Sequence, residues 1–421
     1  MYQAGSFAQL LRFRRTGRPG ELAFVVSRNV LFLGLTSLVT DVSSEMISAV
    51  LPLYVVYSLD LSPLHLGVID GLYQGVAALV RVVAGVLADR WRRLKEVAGL
   101  GYGISAICKL GLLVAGGSAP LLAAFVVVDR TGKGIRTAPR DALLSLSAPE
   151  GALATAFGVH RALDTAGAML GPLVAFGLLA LVPGAFEVIF IVSFCVAVVG
   201  VALFALFVEP RSAPVADPAR DAAPRVSFVD ALRLLQLPRY RTLVVVGSAL
   251  SAGAISDGLV FVLLQRRVRF DPSYLPLLYV ASALVYMLLA VPIGRLADRV
   301  GRERVLVGGY ALLAGLYALL LLARPGWPTV VGCVTLLGAC YASTDGVLMA
   351  LASPILPAEV RTSGLAVLTT CTTVSRLVAS ILFGAVWTWW GQDRALLSFL
   401  VGLVIVAVAA ALGWASRPAE S

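Results

Sequence analysis

The 421-residue chain is 59% hydrophobic and only 14% charged, and its mean hydropathy is +0.90. A soluble domain carries about 25% charged residues, so a chain with a polar surface for water is excluded and a membrane protein is expected. The formal charge of +10 would point to nucleic acid in a soluble protein. Here the bases flank apolar segments, where anionic lipid headgroups meet them, and no nucleic-acid partner is expected.

Apolar segments of roughly 20 residues or more recur along the whole chain, each long enough to cross a hydrocarbon core of about 30 Å. Helices are the expected spanning form, because lipid offers no partner to an open backbone edge. The first segment, 25–56, follows a basic stretch with Arg12, Arg14, Arg15 and Arg18. It has no small-residue cleavage site and is read as retained. Asp41 and Glu45 within it are four apart on one helix face. Acids this close titrate together, which makes them candidates to load and release a proton; a salt bridge to another helix is the alternative.

Segment 64–88 carries His65 near its outer start, then Asp70 and Arg81, and segment 97–116 carries Lys109. Segment 119–138 runs into DRTGKGIRTAPRD. Asp129 and Arg130 are expected near mid-membrane, with Lys133, Arg136 and Arg140 forming a basic stripe below them and Gly132 and Gly134 permitting close helix contact. The GKG triplet lacks the glycine spacing and the following Ser or Thr of a phosphate-binding loop, so no nucleotide cofactor is expected. Segment 152–180 holds His160, Arg161 and Asp164, with His160 four before Asp164, either a satisfied core pair or a proton relay. Segment 185–208 completes a first set of six.

The stretch 209–241 is rich in Pro, Ala and Arg and reads as a linker. A second six follows at 242–265 with Asp257, 273–296, 303–323, 328–350 with Asp345, 361–388 with Arg361 and Arg376, and 395–414. Trp387, Trp389 and Trp390 lie where an outer interfacial belt is expected. Lys and Arg cluster at 90–95, 133–140, 209–241 and 298–304, which places those loops and both termini in the cytoplasm; RRVR at 266–269 is the exception. The expected organisation is a basic N-terminus 1–24, a bundle 25–208, a linker 209–241, a second bundle 242–415 and a tail 416–421. The five cysteines, Cys108, Cys195, Cys333, Cys340 and Cys371, form no closely spaced pair and read as small buried apolar groups. With two histidines, no metal ligand set is recognisable.

GVLADRWRR at 85–93 and GRLADRVGR at 294–302 recur at equivalent places in the two halves. In this the chain resembles the major facilitator superfamily, whose loop after the second helix has this pattern. Gly294, Leu296, Ala297, Asp298, Arg299, Gly301 and Arg302 match it, as do Gly85, Leu87, Ala88, Asp89, Arg90 and Arg93. Arg92 stands where the family usually has Gly, so the first loop is expected either to turn differently or to carry extra lipid contact. The resemblance implies that Gly85, Asp89, Arg90, Arg93, Gly294, Asp298, Arg299 and Arg302 gate the two halves. Arg130 followed by Gly134 is similar to the family's fourth helix, which implies that Arg130 tunes a nearby carboxylate. Gly158, Gly167, Gly171 and Pro172 resemble the antiporter motif of the fifth helix, although Ala175 and Phe176 replace two further glycines.

These readings combine into an all-α polytopic membrane protein, with twelve transmembrane helices in two pseudo-symmetric six-helix bundles of the major facilitator fold. The expected function is secondary transport rather than catalysis, driven by a proton gradient and without a cofactor. It is read as antiport, exporting a small anionic, zwitterionic or drug-like solute by alternating access. Asp41, Glu45, Arg130, His160 and Asp164 are the proton-coupling candidates. Arg81, Lys109, Asp129, Lys133, Arg136, Arg161, Asp257, Asp345 and Arg376 are the substrate-cavity candidates. Uptake or uncoupled diffusion of a metabolite, and a non-transporting receptor, are the alternatives. Lipid and a small molecule are the expected partners of a monomer in a bacterial cytoplasmic membrane.

Overall fold

A computed structural model describes residues 27–91, 93–148, 153–210, 234–322, 325–357 and 361–415. Within them the chain forms α1 Arg28–Leu53, α2 Pro63–Trp91, α3 Leu94–Val114, α4 Ala119–Ser147, α5 Leu153–Leu181 and α6 Phe186–Phe207. There follow α7 Pro238–Ser251, α8 Asp257–Val268, α9 Leu275–Val300, α10 Arg302–Leu321, α11 Trp327–Ala352, α12 Arg361–Trp390 and α13 Gln392–Ala415. No strand occurs among the described residues. The linker residues 211–233, the N-terminal residues 1–26 and the tail 416–421 lie outside them.

Proline marks several helix starts, at Pro63, Pro120, Pro238, Pro276 and Pro328, where its missing N–H has no intrahelical partner to lose. Gly301 ends α9 with φ +110, a conformation few side chains tolerate, so the second half's loop turns in the space the motif glycine provides. Arg92, the departure from that pattern, lies outside the described residues. Val114, Leu181, Leu206 and Leu322 are largely exposed, as expected of side chains that face lipid rather than water.

Ten helical stretches among the described residues are long and apolar enough to cross a membrane. The other two expected segments depart for identifiable reasons. Helix α4 carries Asp129, Arg130, Lys133 and Arg136 in its body. The expected single span 242–265 is two helices, α7 and α8, separated at residues 252–256. A break inside a membrane is stable only where the freed backbone groups find partners. Here Tyr317 donates its hydroxyl to the Gly253 carbonyl at 2.9 Å and accepts from the Ile255 amide at 3.1 Å, and Ser256 N–H donates to Ser380 Oγ at 3.0 Å. Tyr317→Phe removes both services at a fully buried site. We expect it to destabilise the protein by about 1–3 kcal/mol, read as a lower unfolding temperature in detergent.

The chain divides into two compact units. Among the described residues the first comprises 27–50 and 79–210, and the second 51–78 and 234–415. The boundaries fall inside α1 and α2. In the first unit Val30, Leu33, Ala98, Tyr102, Leu143, Leu144, Ala156, Phe204 and Val208 form a core. Helices α3 and α4 approach closely where glycines meet: a Cβ at Gly132 would come 2.7 Å from the Gly101 carbonyl. In the second unit α2 lies on α12, where a Cβ at Gly71 would come 3.2 Å from the Leu377 carbonyl.

One outer-face expectation changes, and the charge exception beside it finds partners. Trp389 and Trp390 are exposed, as a belt requires, but Trp387 is 6% exposed and packs edge-on against Phe383. It also carries the Arg266 guanidinium at 5.3 Å from its ring centre. Arg267 pairs with Asp393. The RRVR stretch that runs against the positive-inside pattern is thus partly absorbed by an aromatic face and an acid. Among the cysteines, Cys108, Cys333 and Cys340 are buried, whereas Cys195 is exposed and Cys371 half-buried.

Candidate functional site

Among the described residues of the first unit, the buried charged side chains form three clusters between α1, α3, α4 and α5. In the first cluster, Asp41 on α1 meets two bases of α4, Arg136 at 3.4 Å and Lys133 at 3.8 Å. Lys133 also reaches Glu45 at 3.7 Å, so the two acids share one ammonium. The i, i+4 spacing puts both acids on the face that α4's stripe approaches. Arg136 is 2% exposed and stacks over the Tyr102 ring at 4.4 Å, which holds its guanidinium toward Asp41. Lys133 and Glu45 are each about a quarter exposed.

The second cluster centres on Asp164 of α5. Its Oδ1 accepts from Ser37 at 2.7 Å and its Oδ2 from Arg161 at 3.1 Å, and Arg140 lies 3.9 Å away. Arg140 donates to Asp141 at 2.8 Å and to Ser37 at 3.3 Å. His160 is buried and its Nε2 has no hydrogen-bond partner. The Asp164 oxygens are thus engaged by Ser37 and Arg161, a partner set different from the His160 pairing considered from the spacing.

The third cluster fills the crevice between α3 and α4. Asp129 Oδ1 accepts from Ser105 at 2.5 Å and lies 3.5 Å from Lys109 Nζ, while Oδ2 accepts from Arg130 Nε at 2.8 Å. Lys109 and Arg130 are each 3% exposed. Arg130 therefore engages a carboxylate, and that carboxylate is its own chain neighbour.

The antiporter-like glycines lie on the α1 side of α5. A Cβ at Gly171 would come 2.7 Å from the Val42 carbonyl and 2.8 Å from Glu45 Cβ, and Gly167 packs as tightly on Leu38. Small residues here let α5 approach the turn of α1 that carries Asp41 and Glu45. Gly158 and Pro172 are buried in the same helix.

In the second unit, Tyr341 of α11 donates its hydroxyl to Asp257 at the start of α8, and the Arg376 guanidinium of α12 lies 5.2 Å over the Tyr341 ring. Asp345 is four residues beyond Tyr341 on the same helix. Asp257, Arg376 and Asp345 are all half-buried, and Tyr341 joins the first two.

Of the gating candidates, Asp298 and Arg302 pair at 2.9 Å, and Arg302 also donates to the Ala350 carbonyl at 2.9 Å. This ties the loop to the end of α11. Arg299 and Arg93 are exposed. Among the described residues a Cβ at Gly294 would meet nothing within 4 Å, so none of the described helices approaches closely at that glycine. The side chains of Arg81, Gly85, Asp89 and Arg90 lie outside the described residues.

Sequence reasoning did not single out Ser37, Tyr102, Ser105 or Tyr341. A signal existed for two of them: Ser37 is four before Asp41 and Ser105 four before Lys109, on the faces those charges occupy. Nothing local distinguishes Tyr102 or Tyr341 from a core aromatic.

Membrane-length helices, a broken helix whose backbone is re-satisfied by side chains, and charges paired inside the fold define a polytopic all-α membrane protein. The chain belongs to the Major Facilitator Superfamily, whose family model matches residues 33–265 and 245–421. An uncharacterized MFS-type transporter of Methanocaldococcus jannaschii is 43% identical over 148 residues. That match spans 35% of this chain and 36% of the relative, so the chain aligns with about a third of that relative's length. A crystal structure of a nucleoside transporter superposes with a TM-score of 0.78 at 15% identity, covering 91% of this chain and 99% of the other. A D-xylose–proton symporter superposes with a TM-score of 0.71 at 16% identity, covering 93% and 98%. At such identities the likeness shows the shared fold.

Proposed function

We propose that this transporter is a proton-coupled antiporter that exports a small solute bearing an amine, a zwitterion or a cationic drug-like compound, from the cytoplasm. The observation that supports this is the sharing of Lys133 between Asp41 and Glu45. Lys133 joins Asp41, which is buried and also meets Arg136, to Glu45, and with Lys133 and Glu45 each about a quarter exposed the three form a site where a proton and a solute ammonium displace each other. Competition for one carboxylate is what makes two fluxes run in opposite directions. An inward proton gradient then drives the solute outward without nucleotide hydrolysis, through alternating access of the helical bundles. The remaining bases favour this choice of solute: Lys109, Arg130 and Arg136 are buried against acids, which leaves little free positive charge for an anion. The expected setting is a monomer in a bacterial cytoplasmic membrane with both termini inside.

The same cluster favours a second reading for an anionic solute. A proton on Asp41 or Glu45 releases Lys133 to bind the anion, so proton and solute travel together, as uptake. Inside-out vesicles with an acidic lumen and a pH-sensitive dye separate the two. Antiport predicts proton release on adding zwitterionic or cationic compounds. Release with anions alone would make the exchanged solute an anion, further acidification of the lumen on adding anions would replace antiport by co-transport, and no proton movement with any panel, from verified folded protein, would overturn coupling for those solutes.

A further inference from the structure

In the first unit each of the buried acids Asp41, Asp129 and Asp164 has a cation within 4 Å: Lys133 and Arg136, Lys109 and Arg130, and Arg140 and Arg161. Asp70, on the part of α2 that belongs to the second unit, departs from this rule. It is 6% exposed, and its Oδ2 has no hydrogen-bond partner. It faces Ser256 and Gly258 at the start of α8, and the Ser256 hydroxyl is itself buried without a partner. Gly258 makes the approach possible: a Cβ there would lie 2.5 Å from Asp70 Oδ2 and 2.7 Å from Pro52 Cγ.

The charged groups on every element packed around Asp70 leave its charge uncompensated. From α8 the facing group is Asp257, of the same sign. From α12 the surface against Gly67 and Gly71 is Ser380, Gly384 and Leu377, while Arg376 stacks on Tyr341. The end of α1 contributes Pro52. On α2 itself, His65 is exposed and bonded to Ser62. Among the described residues no base forms an ion pair with Asp70.

We propose that Asp70 is a proton-binding site, occupied while the 51–78 stretch is docked on α8, and that loss of this proton releases the docking. A carboxylate removed from water with no cation sheds its charge rather than bear the desolvation. The N-terminus of α8 offers a partial positive charge, but Asp257 already occupies its first turn and takes the Tyr341 hydroxyl. The Ser256 hydroxyl can bond the Asp70 carboxyl in either protonation state, as donor to the carboxylate or acceptor from the acid, so it is the missing cation and not this bond that favours the proton. Released from the pocket, the carboxyl meets water and ionises. Docking therefore takes up a proton, is favoured at low pH and is lost as pH rises. The inference does not rest on the antiport reading, which places coupling at Asp41 and Glu45.

The test uses the full chain in liposomes and a hydrophobic carbodiimide, which reacts with protonated carboxyl groups, read by peptide mass spectrometry. We expect an Asp70 adduct that falls about tenfold or more between about pH 5 and about pH 9, with far less adduct on the ion-paired Asp129 and Asp164. A second measurement covers hindered access of the reagent: thermal unfolding of Asp70→Asn, which approximates the neutral carboxyl. The variant should match wild type near pH 5 and unfold several degrees higher near pH 9. That pattern supports the site even without an adduct. An adduct without it refutes the link to docking. No adduct at any pH, with Asp70→Asn equally destabilising at both, means a charged docked carboxylate and overturns the proposal.

Discussion

Asp129→Ala is expected to be the most damaging single substitution, lowering stability by about 3–5 kcal/mol. Asp129 is the acid shared by Lys109 and Arg130, each 3% exposed. Removing it takes from both cations, buried between α3 and α4, the carboxylate they share, and leaves Lys109 with the Ser105 oxygens. The comparison that identifies the mechanism is Lys109→Met. That change leaves Asp129 with Arg130 and Ser105 and fills the lysine's space with an apolar chain, so its cost should be much smaller. Unfolding temperatures and recoveries of monodisperse protein in detergent measure both. Equal losses for the two variants would mean that packing volume, rather than stranded charge, sets the energy of this crevice.

Asp41→Asn is expected to remove exchange while leaving the fold in place. The amide keeps the volume and one acceptor for Arg136, and Lys133 keeps Glu45. What disappears is the charge for which, on the antiport reading, proton and solute compete. A hydrogen bond to a charged group contributes about 1.5–3 kcal/mol, so binding of an ammonium solute should weaken roughly 10- to 100-fold. Solute-driven proton release should fall to the level of empty vesicles. Glu45→Gln should retain part of the activity, because Asp41 keeps both Lys133 and Arg136. Full exchange in Asp41→Asn with loss in Asp164→Asn would move the coupling site from α1 to α5.

Much of the molecule was legible in the sequence because the controlling physics is local. Length and hydropathy identify spanning segments, since an apolar run of about 20 residues has one way to satisfy its backbone in lipid. Spacing of four places Asp41 with Glu45 on one face, and the repeated GxLADR stretches mark equivalent points in two halves. The break at residues 252–256 was not legible, because what permits it is Tyr317, more than sixty residues away in sequence, whose hydroxyl serves Gly253 and Ile255. Trp387 likewise resembles its belt neighbours in sequence, and only packing against Phe383 and Arg266 separates it from them.

The sequence by itself determined that this chain crosses the membrane as helices, that its family is the major facilitator superfamily, and that its first half concentrates charge inside those helices. The tertiary structure alone decided how the charges are matched: Arg136 to Asp41 across 95 residues, Lys109 to Asp129 across 20 and, among the described residues, no ion-paired base for Asp70. Periodicity fixes which residues share a face of one helix, but not how that helix is rotated against its neighbours. In a low-dielectric interior that rotation decides whether a charge is paired, stranded or neutralised.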